Sequence, residues 1–209
     1  MSEIFTFSNI IFIINGISKT MFIVSFSLLP SLIFGTILAL MRHSDNKFFK
    51  VISSIFIDIV RNIPNLLWIY IVFLIFKLSS NMTGIVSFSL FSSAAFAEII
   101  RGGLNSLDIG QFEAAYSQGL NYFQSLFYII LPQAFQRCLM TLSLQVVTIV
   151  KDTSLLWSVA GIQELTGNVT ILMNKHQSIT QIFILYGILT ILYFVINFTI
   201  LNFFKYIQD

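Results

Sequence analysis

Long apolar stretches separated by short polar ones make up most of the chain. Several of these stretches reach the roughly 20 residues that an α-helix needs to cross about 30 Å of hydrocarbon. The pattern predicts an all-α, polytopic membrane protein, with one membrane domain over residues 1–209 and five transmembrane helices. The expected spans cover residues 15–41, 51–77, 85–100, 134–158 and 181–204.

The segments between and before these spans are more polar. Met1–Ile14 is apolar and aromatic but contains Glu3, which predicts an interfacial helix separate from the first span. Pro30 predicts a kink within that first span, because proline removes one backbone hydrogen bond. Ser79–Gly84 is expected to form a tight turn, and Val159–Thr180 a polar connection.

One segment, Asp108–Gln133, is too polar to span a membrane yet too regular for a linker; we call it the hairpin segment. Asp108 followed by Gln111 predicts a capping box at the start of a helix, and Gly119 is typical of the position just past a helix end. Three further residues predict a second helix and the start of the next span: Asn121, Gln124 and Pro132. The segment is therefore expected to be a short helix–turn–helix between two spans.

The hairpin segment carries a motif: Glu113–Ala115 (EAA), three residues, Gly119, nine residues, Ile129, one residue, then Leu131 and Pro132. This spacing resembles the EAA loop of ABC importer permeases. The flanking sequences AEIIRGGLNSLDIGQFEAA and KDTSLLWSVAG are similar to the polar amino acid uptake subfamily, the histidine/glutamine/glutamate-type permeases. The resemblance covers roughly residues 16–166.

The resemblance implies that residues 101–133 form a cytoplasmic coupling loop that docks on a separate ATPase subunit. The implied partners are an ATPase dimer, a second permease copy or a sister permease, an extracytoplasmic substrate-binding protein and the amino acid itself, with glutamine, glutamate or aspartate favoured. The implied coupling residues are Glu113, Ala114, Ala115, Gly119, Leu120, Leu131 and Pro132. The chain departs from the pattern at Tyr116, where a basic residue is frequent, and by one extra residue between Lys151 and Glu164.

Basic residues indicate an orientation for the five expected spans, since Lys and Arg concentrate on the cytoplasmic side. If the hairpin segment is cytoplasmic, six basic residues lie on that side: Arg42, Lys47, Lys50, Arg101, Arg137 and Lys205. Five spans then place the N-terminus outside and the C-terminus inside. The resemblance and this orientation imply a multi-pass protein of a bacterial plasma (inner) membrane, in contact with membrane lipid.

Composition excludes several other classes. The chain is 56% hydrophobic with a mean hydropathy of +0.88, and its net charge of +2 is too small to predict nucleic-acid binding. The sequence contains no GxxxxGK[ST], HExxH or GxSxG motif. We therefore expect no enzyme activity and no cofactor in this chain, with ATP bound by the partner subunit. His43 and His176 fall on opposite sides of the membrane in this topology, which argues against a metal site.

Two helix faces within the expected spans are polar. Asp58, Arg61, Asn62 and Asn65 share one face of the second span, and Thr141, Gln145, Thr148 and Asp152 share one face of the fourth. Charges in a bilayer are costly, so these faces should contact protein or water. One interpretation is a translocation path lined by Arg61, Asn65, Gln145, Lys151, Asp152 and Thr153. The alternative is a pair of structural ion pairs, Asp58 with Arg61 and Lys151 with Asp152.

Another class of function also fits an apolar multi-span chain. A secondary transporter or a channel subunit would work without an ATPase. Such proteins typically show inverted repeats with broken helices in two halves. Five spans without an internal repeat favour the ATPase-coupled importer.

Overall fold

The computed structural model describes residues 5–108, 110–175 and 178–208, and every regular element in those ranges is helical. This confirms the all-α prediction. The helices are α1 (Phe7–His43), α2 (Lys47–Asn62), α3 (Asn65–Phe76), α4 (Ser80–Asn105), α5 (Gly110–Ser117), α6 (Tyr122–Ser125), α7 (Leu131–Asp152), α8 (Leu156–Ala160), α9 (Leu165–Lys175) and α10 (Ile179–Gln208). A π-helical turn (Leu126–Ile130) precedes α7, and a 3₁₀ turn (Thr153–Leu155) follows it.

Four helical stretches in the described ranges are long and apolar enough to cross a bilayer: α1, α4, the continuous stretch Tyr122–Val159, and α10. A fifth crossing exists only if α2 and α3 are counted as one broken span, because their axes differ by 104°. The expected span over residues 51–77 is thus divided between two helices, and it counts as a crossing only as a broken span. Pro64 accounts for the break, since the residue before a proline is disfavoured in the α conformation and Ile63 is extended.

The first helix also differs from the expectation. The part of Met1–Ile14 that the structure describes is not a separate element, because α1 runs without interruption from Phe7 to His43 over 37 residues. Thr6 caps it by accepting a hydrogen bond from the Asn9 backbone N–H at 3.3 Å. Pro30 lies within the helix and does not end it.

Helix α4 forms the centre of the bundle, packed between α1 and α7. Close packing depends on small residues, as expected for helix contacts in a membrane. A Cβ placed on Gly35 of α1 would lie 2.8 Å from the Phe96 Cβ of α4. A Cβ placed on Gly103 would lie 2.6 Å from the Ala134 carbonyl oxygen of α7. The predicted turn at Ser79–Gly84 is shorter than expected, since α4 already begins at Ser80 and Gly84 is buried within it.

The predicted polar connection Val159–Thr180 contains a buried helix, α9. Leu165, Val169 and Leu172 recur at i, i+4 and i+7, and all three are buried against α10 and α1. The segment appears polar in the sequence because of Glu164 and Asn168, which are also buried and hydrogen-bonded inside the protein. The polar residues therefore mark an internal contact and do not mark a solvated loop.

Candidate functional site

Gly119 ends α5 in the left-handed conformation, with φ of 81°. The Gly119 N–H donates to the Tyr116 carbonyl at 2.9 Å, and the Leu120 N–H donates to the Ala115 carbonyl at 3.2 Å. This pair of bonds is the Schellman arrangement, in which glycine avoids the steric cost of a left-handed backbone. The predicted helix stop at Gly119 is thus confirmed.

The motif residues of the hairpin segment divide between an exposed and a buried set. Glu113 and Ala114 are exposed, whereas Ala115 is 1% exposed and anchors α5 to the protein. Leu131 is buried and Pro132 is exposed, with Leu120 between these extremes. The exposed pair therefore adjoins the one buried residue of α5, Ala115, which packs the helix against the protein.

Of the two predicted capping boxes, one is present. Asn121 and Gln124 exchange reciprocal side-chain to backbone hydrogen bonds, each 2.9 Å long. At the other position, Asp108 accepts from the Gly110 N–H, and Gln111 does not reach back to it. The Gln111 side chain instead accepts a 3.0 Å hydrogen bond from Gln133, which joins the two ends of the hairpin segment. The first capping box was wrong because this long-range partner is invisible to a local pattern.

A π-helical turn joins the hairpin segment to α7. The Leu131 N–H donates to the carbonyl of Leu126, five residues back, and Pro132 has no N–H to donate. A proline ring clashes with the carbonyl four residues before it in an ordinary α-helix, and a wider turn at this point relieves that contact. Such turns occur frequently at functional sites.

Asn65, the first residue of α3, meets the polar face of α7 at one hydrogen bond. The bend before α3 separates Asn65 from Asp58, Arg61 and Asn62 on α2, so the predicted common face of the second span is wrong. The Asn65 amide donates to the Asp152 carboxylate at 2.8 Å, across 87 residues of sequence. Gln145 lies on the same face of α7 and is half-buried, while Lys151 is exposed. Thr153, the first residue of the 3₁₀ turn, is buried, and its hydroxyl donates to the Val150 carbonyl of α7 at 2.7 Å.

Arg61 lies in a different cluster, around the carboxylate of Glu98. Three arginines from three helices surround Glu98: Arg42 at 2.8 Å, Arg101 at 2.9 Å and Arg61 at 3.7 Å. Asp58 pairs with Arg42 at 3.3 Å, so the suggested Asp58–Arg61 ion pair is wrong. Arg61 and Asp58 are adjacent on α2, yet each reaches a partner on a neighbouring helix.

The sequence did not predict that Glu164 is buried inside the bundle. It is fully buried before α9, and its carboxylate accepts from the Thr166 and Gly167 backbone N–H groups at 2.8 Å. The hydroxyls of Thr20 on α1 and Tyr193 on α10 lie 3.4 and 3.3 Å away. Acidic residues stabilise helix N-termini. The sequence signal for the start of α9 was therefore an acidic residue directly before its repeating apolar positions.

Long apolar helices, an exposed hairpin held by buried anchors and a polar contact within the bundle together are typical of a polytopic membrane protein. Residues 31–209 match the family model described as "Binding-protein-dependent transport system inner membrane component". The chain belongs to this family.

Curated relatives cover most of the chain. It is 32% identical over 194 residues to a probable glutamine ABC transporter permease protein of Bacillus subtilis (strain 168), covering 90% of this chain and 88% of the relative. It is 33% identical over 159 residues to a glutamate/aspartate import permease protein of Escherichia coli O6:H1, covering 70% and 71%.

Among solved structures, an amino acid ABC transporter crystallised with histidines matches with a TM-score of 0.82 and 27% identity. That match covers 94% of this chain and 92% of the other. An inward-facing MetNI methionine ABC transporter matches with a TM-score of 0.73 at 17% identity, which supports the fold alone.

Proposed function

We propose that this chain is the membrane-spanning permease subunit of an ATP-binding-cassette importer that takes up polar amino acids. Its relatives are named as permeases for glutamine and for glutamate/aspartate, which favours a substrate of that kind. The subunit itself hydrolyses nothing in this proposal. ATP hydrolysis takes place in a separate ATPase dimer, and the chain forms part of the path and of the gate.

The hairpin segment carries the coupling in this proposal. Its exposed residues, Glu113 and Ala114, form the contact surface, and the buried Ala115 and Leu131 transmit force to the bundle. The Gln111–Gln133 hydrogen bond closes the segment into one unit, so movement of α5 is passed directly to the start of α7. The single observation that carries the proposal is this exposed hairpin with Gly119 in the left-handed conformation.

The translocation path is proposed to run along the polar side of α7, beside Asn65 at the start of α3. Asn65 and Asp152 are already joined there, and Gln145 and Lys151 lie on α7 beside them. A zwitterionic amino acid presents a carboxylate and an ammonium, which charged groups bind through strong hydrogen bonds. Arg61, which contacts Glu98, is proposed to lie near the cytoplasmic end of the path, and the buried Thr153 to support the path wall from within.

The remaining partners follow from the same assignment. A second permease copy or a sister permease would close the path, and an extracytoplasmic substrate-binding protein would deliver the amino acid. The complex would lie in the plasma membrane of a bacterium, with the hairpin segment in the cytoplasm.

Copurification of the ATPase tests the coupling role. The Glu113→Lys variant reverses a charge on the exposed surface of α5, away from the membrane bundle. We expect the ATPase recovered with the permease in mild detergent to fall at least tenfold, about 1.4 kcal/mol of binding free energy. The amount of permease in the membrane should stay unchanged.

A matched control is Gln136→Lys. It adds a positive charge at an exposed position near the start of α7, the end that adjoins the hairpin segment. This variant should retain the ATPase. Full recovery of the ATPase and normal uptake with Glu113→Lys would show that the hairpin segment is not the coupling surface.

A further inference from the structure

Helix α2 has two contrasting stripes along its exposed surface. Its apolar stripe, Phe48, Ile52, Ile55 and Ile59, follows the helical spacing i, i+4, i+7 and i+11, with exposures of 67%, 44%, 55% and 51%. The polar stripe on the other side consists of Lys47, Lys50, Ser54, Asp58 and Arg61. A helix with this segregation is typical of the boundary between hydrocarbon and water.

The angle between α2 and α3 places α2 close to the membrane plane. Three residues separate the C-terminal end of α3 from the start of α4. These two helix ends therefore lie near the same membrane surface. The 12 residues of α3 rise only about 18 Å, less than the roughly 30 Å of a bilayer core. The bend of 104° therefore lies inside the opposite half of the bilayer, and α2 extends sideways from that point.

Contacts on opposite sides of α2 give its rotation about its own axis. Asp58 faces Arg42 near the end of α1, in the direction of the hairpin segment. Phe56, two residues earlier, lies on the opposite side of α2 and lines a cleft with residues from the last third of α1 and the middle of α4. The polar stripe thus faces the membrane surface, and the apolar side faces the hydrocarbon.

An apolar cleft of about 430 Å³ lies on the hydrocarbon side of α2. Its walls come from three helices: Phe34, Ile37 and Leu38 of α1, Phe56 of α2, and Val86 and Leu90 of α4. Only Ser89 and Ser93 contribute hydroxyls, and both donate to carbonyls of their own helix. The cleft therefore offers no polar group to a ligand and suits a hydrocarbon chain.

We propose that α2 lies in the bilayer leaflet on the side of the hairpin segment, and that it binds an anionic phospholipid there. One acyl chain occupies the cleft, and Lys47 and Lys50 bind the headgroup. The polar stripe carries three basic residues against one acid, which gives charge complementarity to an anionic headgroup. Lysine side chains reach from an apolar surface to the headgroup region.

Accessibility of spin labels tests the placement of α2. Single cysteines are introduced at Ile52, Ile55, Ile59 and Ser54 in a Cys138→Ser background, and the labelled complex is reconstituted in vesicles of phosphatidylglycerol and phosphatidylcholine. Labels on the three isoleucines should be reached by oxygen, which dissolves in hydrocarbon, and not by a water-soluble nickel chelate. The label at Ser54 should show the reverse. Isoleucine labels that are shielded from both reagents would mean that protein covers this face, and would overturn the proposal.

Retention of lipid by the detergent-purified complex tests the headgroup site. Native mass spectrometry counts phosphatidylglycerol and phosphatidylcholine bound to the complex after equal exposure to both. The wild type should retain phosphatidylglycerol in preference, and the Lys47→Gln/Lys50→Gln variant should lose roughly fivefold in that preference for each lysine removed.

Two further variants complete this test. The control Lys205→Gln, at the end of α10, should behave as the wild type. Val86→Trp fills the cleft and should lower retention of both lipids while the lysines remain. Equal retention of the two lipids by the wild type, or an unchanged preference in the double variant, would refute the site. Neither result depends on the ATPase, so failure here leaves the proposed function intact.

Discussion

Gly119 sets the direction in which the hairpin segment turns. Its backbone conformation restricts which residues can replace it, whereas the space around it does not. A Cβ at this position would have no other atom within 4 Å, so size alone is tolerated. The left-handed conformation costs an ordinary residue about 1–2 kcal/mol, but asparagine adopts it readily. We therefore expect Gly119→Asn to keep uptake and Gly119→Val to lose most of it, while both variants reach the membrane.

The measurement is amino acid uptake together with ATPase copurification from the same membranes. Gly102→Val serves as a control, because Gly102 is also open to space but has no left-handed backbone. Equal activity of the valine and asparagine variants at position 119 would show that the left-handed turn does not matter for coupling.

Asp152 offers a separate test of the path. In Asp152→Asn, the new amide oxygen can still accept the hydrogen bond from Asn65, so the contact between α3 and α7 should persist while the charge is removed. We expect normal membrane insertion and ATPase binding, with the uptake rate or the substrate preference changed severalfold. Transport competition among several amino acids measures both.

The structural interpretation of Asp152 predicts a different result. If the Asp152 carboxylate only stabilises the bundle, its removal leaves the polar groups around it without a charged partner and lowers the amount of folded protein. Loss of the protein from the membrane, with no separable transport defect, would support that interpretation. Asp58→Asn is the comparison, since Asp58 is largely exposed and lies outside the proposed path.

At the scale of elements, local signals in the sequence predicted the hairpin segment well. A glycine stop and a capping box involve residues a few positions apart, so the sequence contains both partners, and Gly119 and the Asn121–Gln124 box were found in this way. The Asp108–Gln111 box failed because Gln133, 22 residues away, competes for the same side chain.

The errors among the membrane helices have a similar cause. Local apolarity does not give the angle at a break, so the sequence did not predict the 104° bend between α2 and α3. Helix α9 was missed because Glu164 and Asn168 are polar and nevertheless buried. Their partners, Thr20 and the Phe12 carbonyl, lie about 150 residues away in α1. No local pattern contains that information.

The π-helical turn before α7 depends on Pro132 and links the hairpin segment to the bundle. An alanine at this position supplies the missing N–H and removes the ring, so the turn should relax to an ordinary α-helix. The start of α7 would then tighten and rotate the hairpin segment relative to the bundle. We expect Pro132→Ala to insert and bind the ATPase, with uptake lowered severalfold.

Uptake and ATP hydrolysis in reconstituted vesicles measure this effect as a ratio of amino acid moved to ATP consumed. Gln133→Ala is a useful companion, because it removes the Gln111 contact without altering the turn. An unchanged ratio in Pro132→Ala would show that the π-helical turn has no part in coupling.

At the scale of the whole molecule, one carboxylate joins the helices at the end of the bundle nearest the hairpin segment. Glu98 of α4 is contacted by arginines from α1, α2 and its own helix, and is 17% exposed. The cluster thus joins α2 to α1 and α4. Basic residues also accumulate at this end, which is the distribution that cytoplasmic surfaces of membrane proteins show.

The orientation of the whole chain is testable without a transport assay. Cys138 is the single native cysteine and is buried, so Cys138→Ser gives a background that contains no thiol. Cysteines at Asp45 and Gln118, which are both exposed, should react with a membrane-impermeant maleimide only after the cells are opened. A cysteine at Asn174, exposed near the end of α9, should react in intact cells. Asp45 is preferred to its neighbour Asn46, whose side chain caps α2. Labelling of Gln118→Cys in sealed cells would place the hairpin segment outside, where no ATP is available, and would refute both the orientation and the coupling to an ATPase.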